Sequence, residues 1–311
     1  VIDANVTKVA NIDDDVTKVA TLGNNGVDVT TVSNIGTDGA KIVKPRYIHS
    51  SQWGNMCPIH SPDGGNTGLH KHLAVGAHIT SGTSSYPYVS YLRNLGLLLL
   101  EECSYQFLSQ TTKVIINGAW IGVIRTPVEL KNQMLMDRRT GVIDAYTSIS
   151  FDIKRKEILI ATDAGRPCHP VIYNKDGILS YEKDHILKAI EDKTLTWEMC
   201  TVGLNGNKLG NEVVKESLRT SEDKMAVVEY IDSQESENIK LAKSSYKREE
   251  FEKERITHCD MHPSFMLSIM ANQVIFPENN PYPRNAFACG QGKQGVSMYN
   301  TNFNNRIDKT A

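Results

Sequence analysis

Apolar residues recur at intervals of three and four near the start of the chain, at positions 6, 9, 12, 16, 19 and 22. This spacing suits one face of a helix, whereas the Val and Thr content and the turn signal at 24–26 favour strands. The element type therefore stays open. Three related copies of one pattern begin at Asn5, Asp15 and Asp28. Such repeats cannot bury an apolar face alone, and we assign residues 1–35 to a separate repeat segment.

Beyond the repeats the pattern becomes that of an ordinary globular sequence with short strands. Apolar triplets flank Asn117-Gly118. They predict a β-hairpin, because this dipeptide readily adopts the backbone of a tight two-residue turn. Residues Phe151–Thr162 alternate enough to predict one strand, which the turn at Asp163–Gly165 closes. A further short strand is predicted at Val227–Ile231.

One helix has unusually complete start and end signals. Thr126 is a favourable N-cap, Pro127 suits the first helical position, and Glu129 completes a capping box. Gly141 suits the position after the helix, because glycine tolerates the left-handed backbone that ends many helices. The pattern predicts a helix over 127–140.

The remaining pattern completes the predicted architecture. A second helix is predicted over Tyr181–Trp197, with Ile186, Leu187 and Ile190 on one apolar face. The mixed-charge stretch Lys243–Arg255 is predicted to be a solvated helix or loop, and we place a boundary there. Together these elements predict a β-rich α+β chain of small modules joined by turns, rather than a parallel sheet built from βαβ units.

Composition narrows the class of protein. Hydrophobic residues make up 40% of the 311, enough for two or three modest domains with buried cores. The 34 Lys and Arg nearly balance the 36 Asp and Glu, so any surface that binds nucleic acid must be local. Six scattered cysteines without a CxxC pair indicate a reduced intracellular compartment, not a zinc site or disulfide scaffold. The longest apolar run, Leu95–Leu100, is too short to cross a bilayer.

Most catalytic motifs are missing from the sequence. It contains no GxxxxGK[ST] phosphate loop, no GxGxxG opening a helix, no HExxH and no GxSxG, and no aspartate cluster suggests the metal pair of a polymerase. His258–His262 holds potential metal ligands, but a turn into Pro263 and a helix is favoured. His60 and Asp63 suggest acid–base work, yet a Pro-Asp-Gly turn is favoured because no partner nucleophile is evident. We therefore predict no metal site in this chain.

The last thirty residues combine features that suit contact with phosphates. Gly290–Asn305 is rich in glycine and amide side chains, and Arg284, Lys293, Arg306 and Lys309 supply positive charge. Arginine and lysine neutralise phosphate charge while amides donate hydrogen bonds. A polar loop between buried elements has a similar composition, and on composition alone it is the favoured alternative.

Four ordered blocks carry a resemblance. They are Gly39–Leu69; Val114–Gly122 with Arg125, Pro127 and Arg138–Gly141; Thr162–Pro167 with Val228–Asp232; and Thr257–Ser264 with Phe276-Pro277, Pro283–Asn285, Gly292–Gly295 and Thr301–Asp308. Together they resemble the second-largest subunit of cellular and large-DNA-virus RNA polymerases, the counterpart of the bacterial β subunit. Three places depart from the family pattern: His60 and Asp63 each stand where the family usually has Glu, and Gly290–Gly292 is unusual.

The resemblance implies a fragment of that subunit with fork, external and hybrid-binding regions. The implied regions are a repeat segment of uncertain origin at 1–35, a fork-like region at 36–80, a first external module at 81–150, a second external module at 151–250 and the start of a hybrid-binding domain at 251–311. A start at Val1 in place of Met and an end at Ala311 without a terminal element fit a fragment. The divergence suggests a large DNA virus of eukaryotes.

The resemblance implies a share in template-directed RNA synthesis, a nucleotidyl transfer that two Mg²⁺ ions assist. Arg284 matches the family arginine near the nucleoside triphosphate, and Lys293 with Gln294 matches the segment that lines the RNA 3′ end and the hybrid. These three are the candidate catalytic residues. The nucleic-acid-binding candidates are Lys44 and Arg46, in the fork-like region near the downstream duplex, and Asn302 and Arg306. The resemblance implies that Mg²⁺ is bound mainly by the largest subunit.

The implied partners are the largest and smaller polymerase subunits, the DNA template, the RNA–DNA hybrid and nucleoside triphosphates, with no membrane. The implied location is intracellular, with nucleus, cytoplasm, viral factory and virion left open. The isolated chain is predicted to be inactive. A second class of function stays open, because the repeats at 1–35 resemble those of phage tail fibres, which are structural or adhesion proteins. Alternatively, these residues are an extension without a role in the downstream chemistry.

Overall fold

A computed structural model of the protein describes residues 43–175, 177–203, 225–242 and 253–300, and only the backbone at 184–185 and 296–300. Contacts divide the chain into two units. Unit 1 consists of Val1–Val75 and Met266–Ala311, and unit 2 of Gly76–Phe265. The repeat segment, most of the mixed-charge stretch, Asn302 and Arg306 lie outside the described residues. The finer division into five regions stays a prediction.

The predicted α+β class is confirmed by the elements that form. The helices are α1 Tyr86–Asn94, α2 Tyr105–Gln110, α3 Pro127–Arg139, α4 Asp184–Glu191, α5 Trp197–Val202, α6 Ser233–Ser236, α7 Ile269–Asn272 and α8 Tyr282–Asn300. The strands are β1 His78–Ile79, β2 Leu98–Leu99, β3 Thr112–Ile116, β4 Ala119–Ile124, β5 Ser148–Asp152, β6 Glu157–Ala161, β7 Pro167–Lys175, β8 Ile178–Leu179, β9 Val228–Asp232, β10 Leu241–Ala242 and β11 His258–Asp260. Short 3₁₀ turns occur at Lys44–Arg46, Ser50–Gln52, Leu100–Glu102, Ser180–Glu182, Pro263–Met266 and Pro277–Asn279.

Unit 2 contains a five-stranded sheet in the order β2-β4-β3-β6-β5. Its neighbours are antiparallel except β3 and β6, which run parallel. The predicted hairpin joins β3 to β4, and both Asn117 and Gly118 have positive φ, 48° and 82°, as its turn requires. Buried side chains from β3, β5 and β6 pack with Leu130 and Met134 of α3 in the main core of this unit. The hairpin prediction is confirmed.

The second sheet of unit 2 is organised around β7, the longest strand. β7 pairs antiparallel with β1, β8, β9 and β11, while β10 runs parallel to β11. The predicted strand at Val227–Ile231 is confirmed as Val228–Asp232, one residue later, and all five of its residues are buried. A strand buried on both faces is expected to be apolar, so Glu229 and Asp232 within it need charged partners.

The helix predicted from its end signals is confirmed, but its capping box is not formed. Gly141 has φ 74° and follows α3 as predicted. The Thr126 side chain makes no capping hydrogen bond. Its ψ is 71°, away from the extended backbone that brings an N-cap side chain to the first free N–H groups. The helix start therefore relies on Pro127, which lacks an N–H that would need a partner.

The single strand predicted over Phe151–Thr162 is wrong, because the structure has two antiparallel strands there, β5 and β6. Asp152 ends β5 by accepting hydrogen bonds from the backbone N–H groups of Lys154 and Arg155, at 2.9 and 3.1 Å. Aspartate is prone to form such a local turn, and Lys156 completes it with φ 53°. The apolar alternation continues through the turn, and for this reason it suggested one strand.

The helix predicted over Tyr181–Trp197 is too long. The structure has α4 and then α5, because Lys193 adopts φ 55° and Thr196 caps a new helix by accepting the Met199 N–H. The predicted apolar face is also only partly buried. Ile186 is 1% exposed, whereas Leu187 and Ile190 are 41% and 48% exposed.

A buried network of charged side chains links α3 to the second sheet of unit 2. The Arg138 guanidinium donates to both carboxylate oxygens of Glu235 at 2.8 Å and to Glu229 at 3.3 Å. Glu229 also pairs with Arg139 and with His258, the latter at 3.0 Å. Arg138, Glu229 and Glu235 are each at most 4% exposed. These pairs satisfy the charges that β9 and α6 carry into the interior.

Candidate functional site

The described candidate residues all belong to unit 1. Lys44 and Arg46 lie in the first 3₁₀ turn, while Arg284, Lys293 and Gln294 lie along α8. The two elements that hold these residues differ in their sequence. The 3₁₀ turn has a proline at its start, and α8 is nineteen residues long and contains three glycines.

The described part of the glycine-rich segment, residues 290–300, is helical, which corrects its interpretation as a polar loop there. One face of α8 presents Ala286 and Cys289, which are 5% and 1% exposed. Cys289 packs in an apolar cluster with Cys57, Leu267 and Ala271. Each glycine costs a helix about 1 kcal/mol relative to alanine, and this packing offsets the cost.

α8 does not bring the three candidate catalytic residues into one cluster. Arg284 and Lys293 are nine positions apart, which in an α-helix means about 14 Å along the axis and opposite faces. Gln294 directly follows Lys293, and both are exposed. The predicted residues thus form two separate groups on one helix.

Arg284 is exposed in the first turn of α8. Its guanidinium lies 5.9 Å from the ring centroid of Phe287, one turn further along. Within the described residues it forms no ion pair with a carboxylate. This geometry leaves the planar group oriented by an aromatic face, a contact of modest strength. The alternative that Arg284 ties its turn to a carboxylate has no support in this part of the chain.

Arg46 organises the loop that follows it. Its Nη1 atom donates to the backbone oxygens of Gly65 and Thr67 at 2.6 and 2.9 Å. Gly68 lies against Arg46 with φ 79°, and a Cβ atom there would come 2.5 Å from the Arg46 carbonyl oxygen. Only glycine fits this close approach. The loop also contributes Lys71, whose ammonium donates to the Gly68 oxygen at 2.7 Å.

Gly68→Ala is expected to destabilise unit 1 by more than about 2 kcal/mol, because a left-handed backbone and a steric clash with backbone atoms act together. Two neighbouring glycines provide matched controls. Gly64 also has positive φ but open space around its Cβ position, so alanine there should cost about 1 kcal/mol from backbone strain alone. Gly65 has neither constraint, and its alanine variant should be close to neutral. Urea unfolding measures all three, and equal losses at 64 and 68 would contradict the role of the clash.

A histidine cluster formed by buried His60 and half-buried His72 lies beside Lys293, and the sequence did not predict it. His60 is 5% exposed, and its Nδ1 atom is 2.7 Å from Ser268 Oγ. The His60 ring stacks on His72 with 3.7 Å between centroids and 19° between planes. Lys293 Nζ is 3.0 Å from His72 Nε2. Asp63, which the sequence suggested as a partner for His60, is exposed, and no hydrogen bond joins the two within the described residues.

Both stacked histidines are held in the neutral form. Burial lowers the pKa of His60 to about 4, and the nearby His72 and Lys293 act in the same direction. Burial and then the Lys293 charge also lower the pKa of His72. Two imidazolium rings in contact would repel each other. At neutral pH the cluster therefore carries one positive charge, on Lys293.

Two adjoining cavities open beside this cluster. The first, of about 340 Å³, is lined by His60, His70, His72, Asn66 and Lys293 among others. The second, of about 300 Å³, shares His60 and His70 and adds Arg46 and Lys71. Among the described residues, neither lining contains an Asp or Glu side chain. Because the charged lining residues are cationic, both cavities suit an anion such as a phosphate group.

In His258–His262, the other ligand-rich run, the first three residues form β11 rather than a turn. His258 and Cys259 lie in β11, and His258 pairs with Thr257 and Glu229. His262 contacts Ser264 in the turn that leads into the 3₁₀ segment. Across the described ranges, no three His, Cys, Asp or Glu side chains are arranged to hold a metal ion. Within the same ranges, no helix is long and apolar enough to cross a membrane.

Two family descriptions match the chain. Residues 27–79 match "RNA polymerase Rpb2, domain 3" and residues 114–175 match "RNA polymerase Rpb2, domain 4". The first match begins inside the predicted repeat segment. It also covers Lys44, Arg46 and the three histidines that line the cavities.

Individual relatives match most of the chain. It is 35% identical over 272 residues to the DNA-directed RNA polymerase II subunit RPB2 of Encephalitozoon cuniculi and 32% identical over 303 residues to that of Schizosaccharomyces pombe. It is 28% identical over 298 residues to the DNA-directed RNA polymerase subunit 2 of Acanthamoeba polyphaga mimivirus. These alignments cover 86–87% of the chain but only 22–24% of each relative. The matches give the tail-fibre alternative no support.

Proposed function

We propose that this chain, which belongs to the family of second-largest subunits of multisubunit DNA-directed RNA polymerases, forms part of the catalytic core that synthesises RNA on a DNA template. The observation that carries the proposal is the extent of the similarity, 35% identity over 86% of the chain. The chain spans under a quarter of the length of these relatives. Because the relatives are named as polymerase subunits, the chain is proposed to act within an assembly.

The proposed chemistry is nucleotidyl transfer, in which the RNA 3′-hydroxyl attacks the α-phosphate of a nucleoside triphosphate and pyrophosphate leaves. This chain contributes positioning and positive charge. Arg284 grips the triphosphate, because a planar guanidinium can bind two phosphate oxygens at once. Its exposure and its lack of a carboxylate partner within the described residues support this role.

The other candidate residues contact nucleic acid in this proposal. Lys293 and Gln294 line the RNA 3′ end and the hybrid, where a protein reads an A-form backbone rather than a sequence. The cationic cavities beside Lys293 and Arg46 support such backbone contacts. Lys44 and Arg46 belong to the fork region near the downstream duplex. The remaining candidates are Asn302 and Arg306.

The proposal also assigns a region of the polymerase subunit to each part of the chain. The fork-like region occupies 36–80, two external modules occupy 81–150 and 151–250, and the hybrid-binding domain begins at 251. The largest subunit, the smaller subunits, the DNA template, the hybrid and nucleoside triphosphates are the partners, and the assembly works inside the cell. Mg²⁺ assists the transfer by clamping the reacting oxygens. The ions are bound mainly by the largest subunit, as the family resemblance implies.

The isolated 311-residue chain is expected to make no RNA and to bind an RNA–DNA hybrid only weakly. The formal net charge is −2, so the affinity must come from a few local cations and fall steeply with salt. Fluorescence anisotropy with a labelled hybrid at several salt concentrations measures the affinity. A primer-extension assay with Mg²⁺ tests for synthesis.

Two outcomes would contradict the proposal in different ways. Template-directed incorporation by the purified chain would show that it is a complete enzyme. Hybrid binding that Lys293→Ala leaves unchanged would remove α8 from the nucleic-acid surface. Lys154→Ala is the matched control, because Lys154 is likewise an exposed lysine, in a turn of unit 2.

A further inference from the structure

Lys293 has an unusual anchor for a lysine beside a cationic cavity. Its ammonium can only donate, so His72 Nε2 must accept the 3.0 Å hydrogen bond and His72 must carry its ring proton on Nδ1. A carboxylate in that place would cancel the lysine charge. The neutral imidazole orients the ammonium and leaves its charge uncompensated.

In His60, the other ring of the stack, one nitrogen has no hydrogen-bond partner within the described residues. Ser268 Oγ accepts the Ala271 N–H at 3.2 Å, and its own hydrogen can be donated to His60 Nδ1 at 2.7 Å. When Ser268 donates in this way, the His60 ring proton lies on Nε2. That atom is buried and has no hydrogen-bond partner within the described residues. Buried N–H groups without an acceptor are rare in proteins. A bound ligand can supply the acceptor that the described residues lack.

The groups around the first cavity are complementary to one chemical class. The titratable and charged lining residues are Lys293, His60, His70 and His72, and Asn66 adds an amide. The ammonium and the imidazole N–H are donors, and the described lining places no carboxylate beside them. A phosphate group offers several strong acceptor oxygens and negative charge, and the cavity of about 340 Å³ is large enough to hold one.

We propose that this cavity binds one phosphate group of the nucleic acid, that Lys293 and His60 Nε2–H donate to its oxygens, and that His72 is a positioning residue for Lys293. The identity of the ligand as nucleic acid rests on the proposed function, whereas the phosphate site itself rests on the histidine cluster. His60 and His72 therefore hold their protons on opposite ring nitrogens.

The first test observes the rings directly in the full 311-residue chain by ¹⁵N NMR of the histidine side chains. The expected result is a proton on Nδ1 of His72 and on Nε2 of His60, with the His60 signal shifting when a short RNA–DNA hybrid is added. Inorganic phosphate is the parallel probe for a free anion. A proton on Nδ1 of His60, or a His60 signal that neither probe moves, would overturn the site.

The second test replaces His72, which orients Lys293, and leaves Lys293 unchanged. His72→Glu should lower hybrid affinity about tenfold and reduce the slope of log K against log salt by about 1, because it cancels one phosphate contact. His72→Gln keeps a neutral acceptor and should stay within about twofold of the parent. Lys154→Ala should behave as the parent. An unchanged salt slope in His72→Glu would overturn the positioning role, provided that thermal unfolding shows a folded variant.

The two tests separate this inference from the proposed function. If inorganic phosphate shifts the His60 signal while the hybrid does not bind, the phosphate site stands and its assignment to nucleic acid is overturned together with the hybrid contact of α8. If the hybrid binds with the expected salt dependence but the protons lie on Nε2 of His72 and Nδ1 of His60, the proposed function stands. The role of the two histidines is then overturned.

Discussion

Arg138→Ala is expected to destabilise unit 2 by about 3–5 kcal/mol, because removing one partner of a buried ion pair leaves the other charge without compensation. Arg138 holds Glu235 through two hydrogen bonds of 2.8 Å and also contacts Glu229. Both carboxylates would remain in the interior. Urea unfolding followed by Trp120 and Trp197 fluorescence in this unit measures the loss.

The control is Arg155→Ala, which removes an arginine whose side chain is 78% exposed and lies 3.6 Å from Asp152. An exposed ion pair of this kind contributes at most about 1 kcal/mol. The double variant Arg138→Met/Glu235→Gln should lose less than the sum of its single variants, since it removes both members of the pair. Equal losses for Arg138→Ala and Arg155→Ala would show that the network does not stabilise the fold.

The pH dependence provides a second measurement of the same network. Burial alone would raise the pKa of Glu229, but the Arg139 and Arg138 guanidinium groups hold it well below its usual 4.5. A carboxyl group with a lowered folded-state pKa stabilises the fold above its unfolded pKa, and this contribution disappears as the pH falls through the folded value. The stability deficit of Glu229→Gln should therefore be largest above pH 4.5 and shrink on acidification. A deficit independent of pH would contradict the ionised state of Glu229.

Within an assembled polymerase, Arg284→Ala is expected to slow nucleotide addition about 10²-fold, the usual loss when one positioned charged donor is removed from a transition state. Negative charge increases on the leaving pyrophosphate as the bond breaks. A guanidinium already oriented over Phe287 stabilises that charge without reorganising. Arg284→Lys should restore only part of the rate, because a point charge cannot keep two parallel hydrogen bonds.

Subunit incorporation, measured beside single-nucleotide addition, separates catalysis from assembly. Arg284 is exposed, and in the described part of the chain it pairs with no carboxylate, so assembly should be normal. Arg155→Ala again serves as the control for the loss of one exposed positive charge. Normal addition rates by a correctly assembled Arg284→Ala enzyme would remove this residue from the active centre.

The sequence by itself determined the features that depend on the intrinsic preference of a few neighbouring residues. Asn117-Gly118 and Gly141 adopt the positive φ values that their residue types allow, because these preferences act within one turn of chain. The ordered motifs along the chain were sufficient to indicate the family, and the matches to its members agree.

The tertiary structure alone decided which side chains meet. Arg138 pairs with Glu235, which lies 97 positions away in the sequence. Lys293 contacts His72, which lies 221 positions away. No spacing along the chain encodes such contacts. Packing also decided the state of the glycine-rich segment, where the cluster around Cys289 stabilises a helix that local propensity disfavours. The departure at His60 was visible in the sequence, but its chemistry arises from Ser268, His72 and Lys293, which folding brings together.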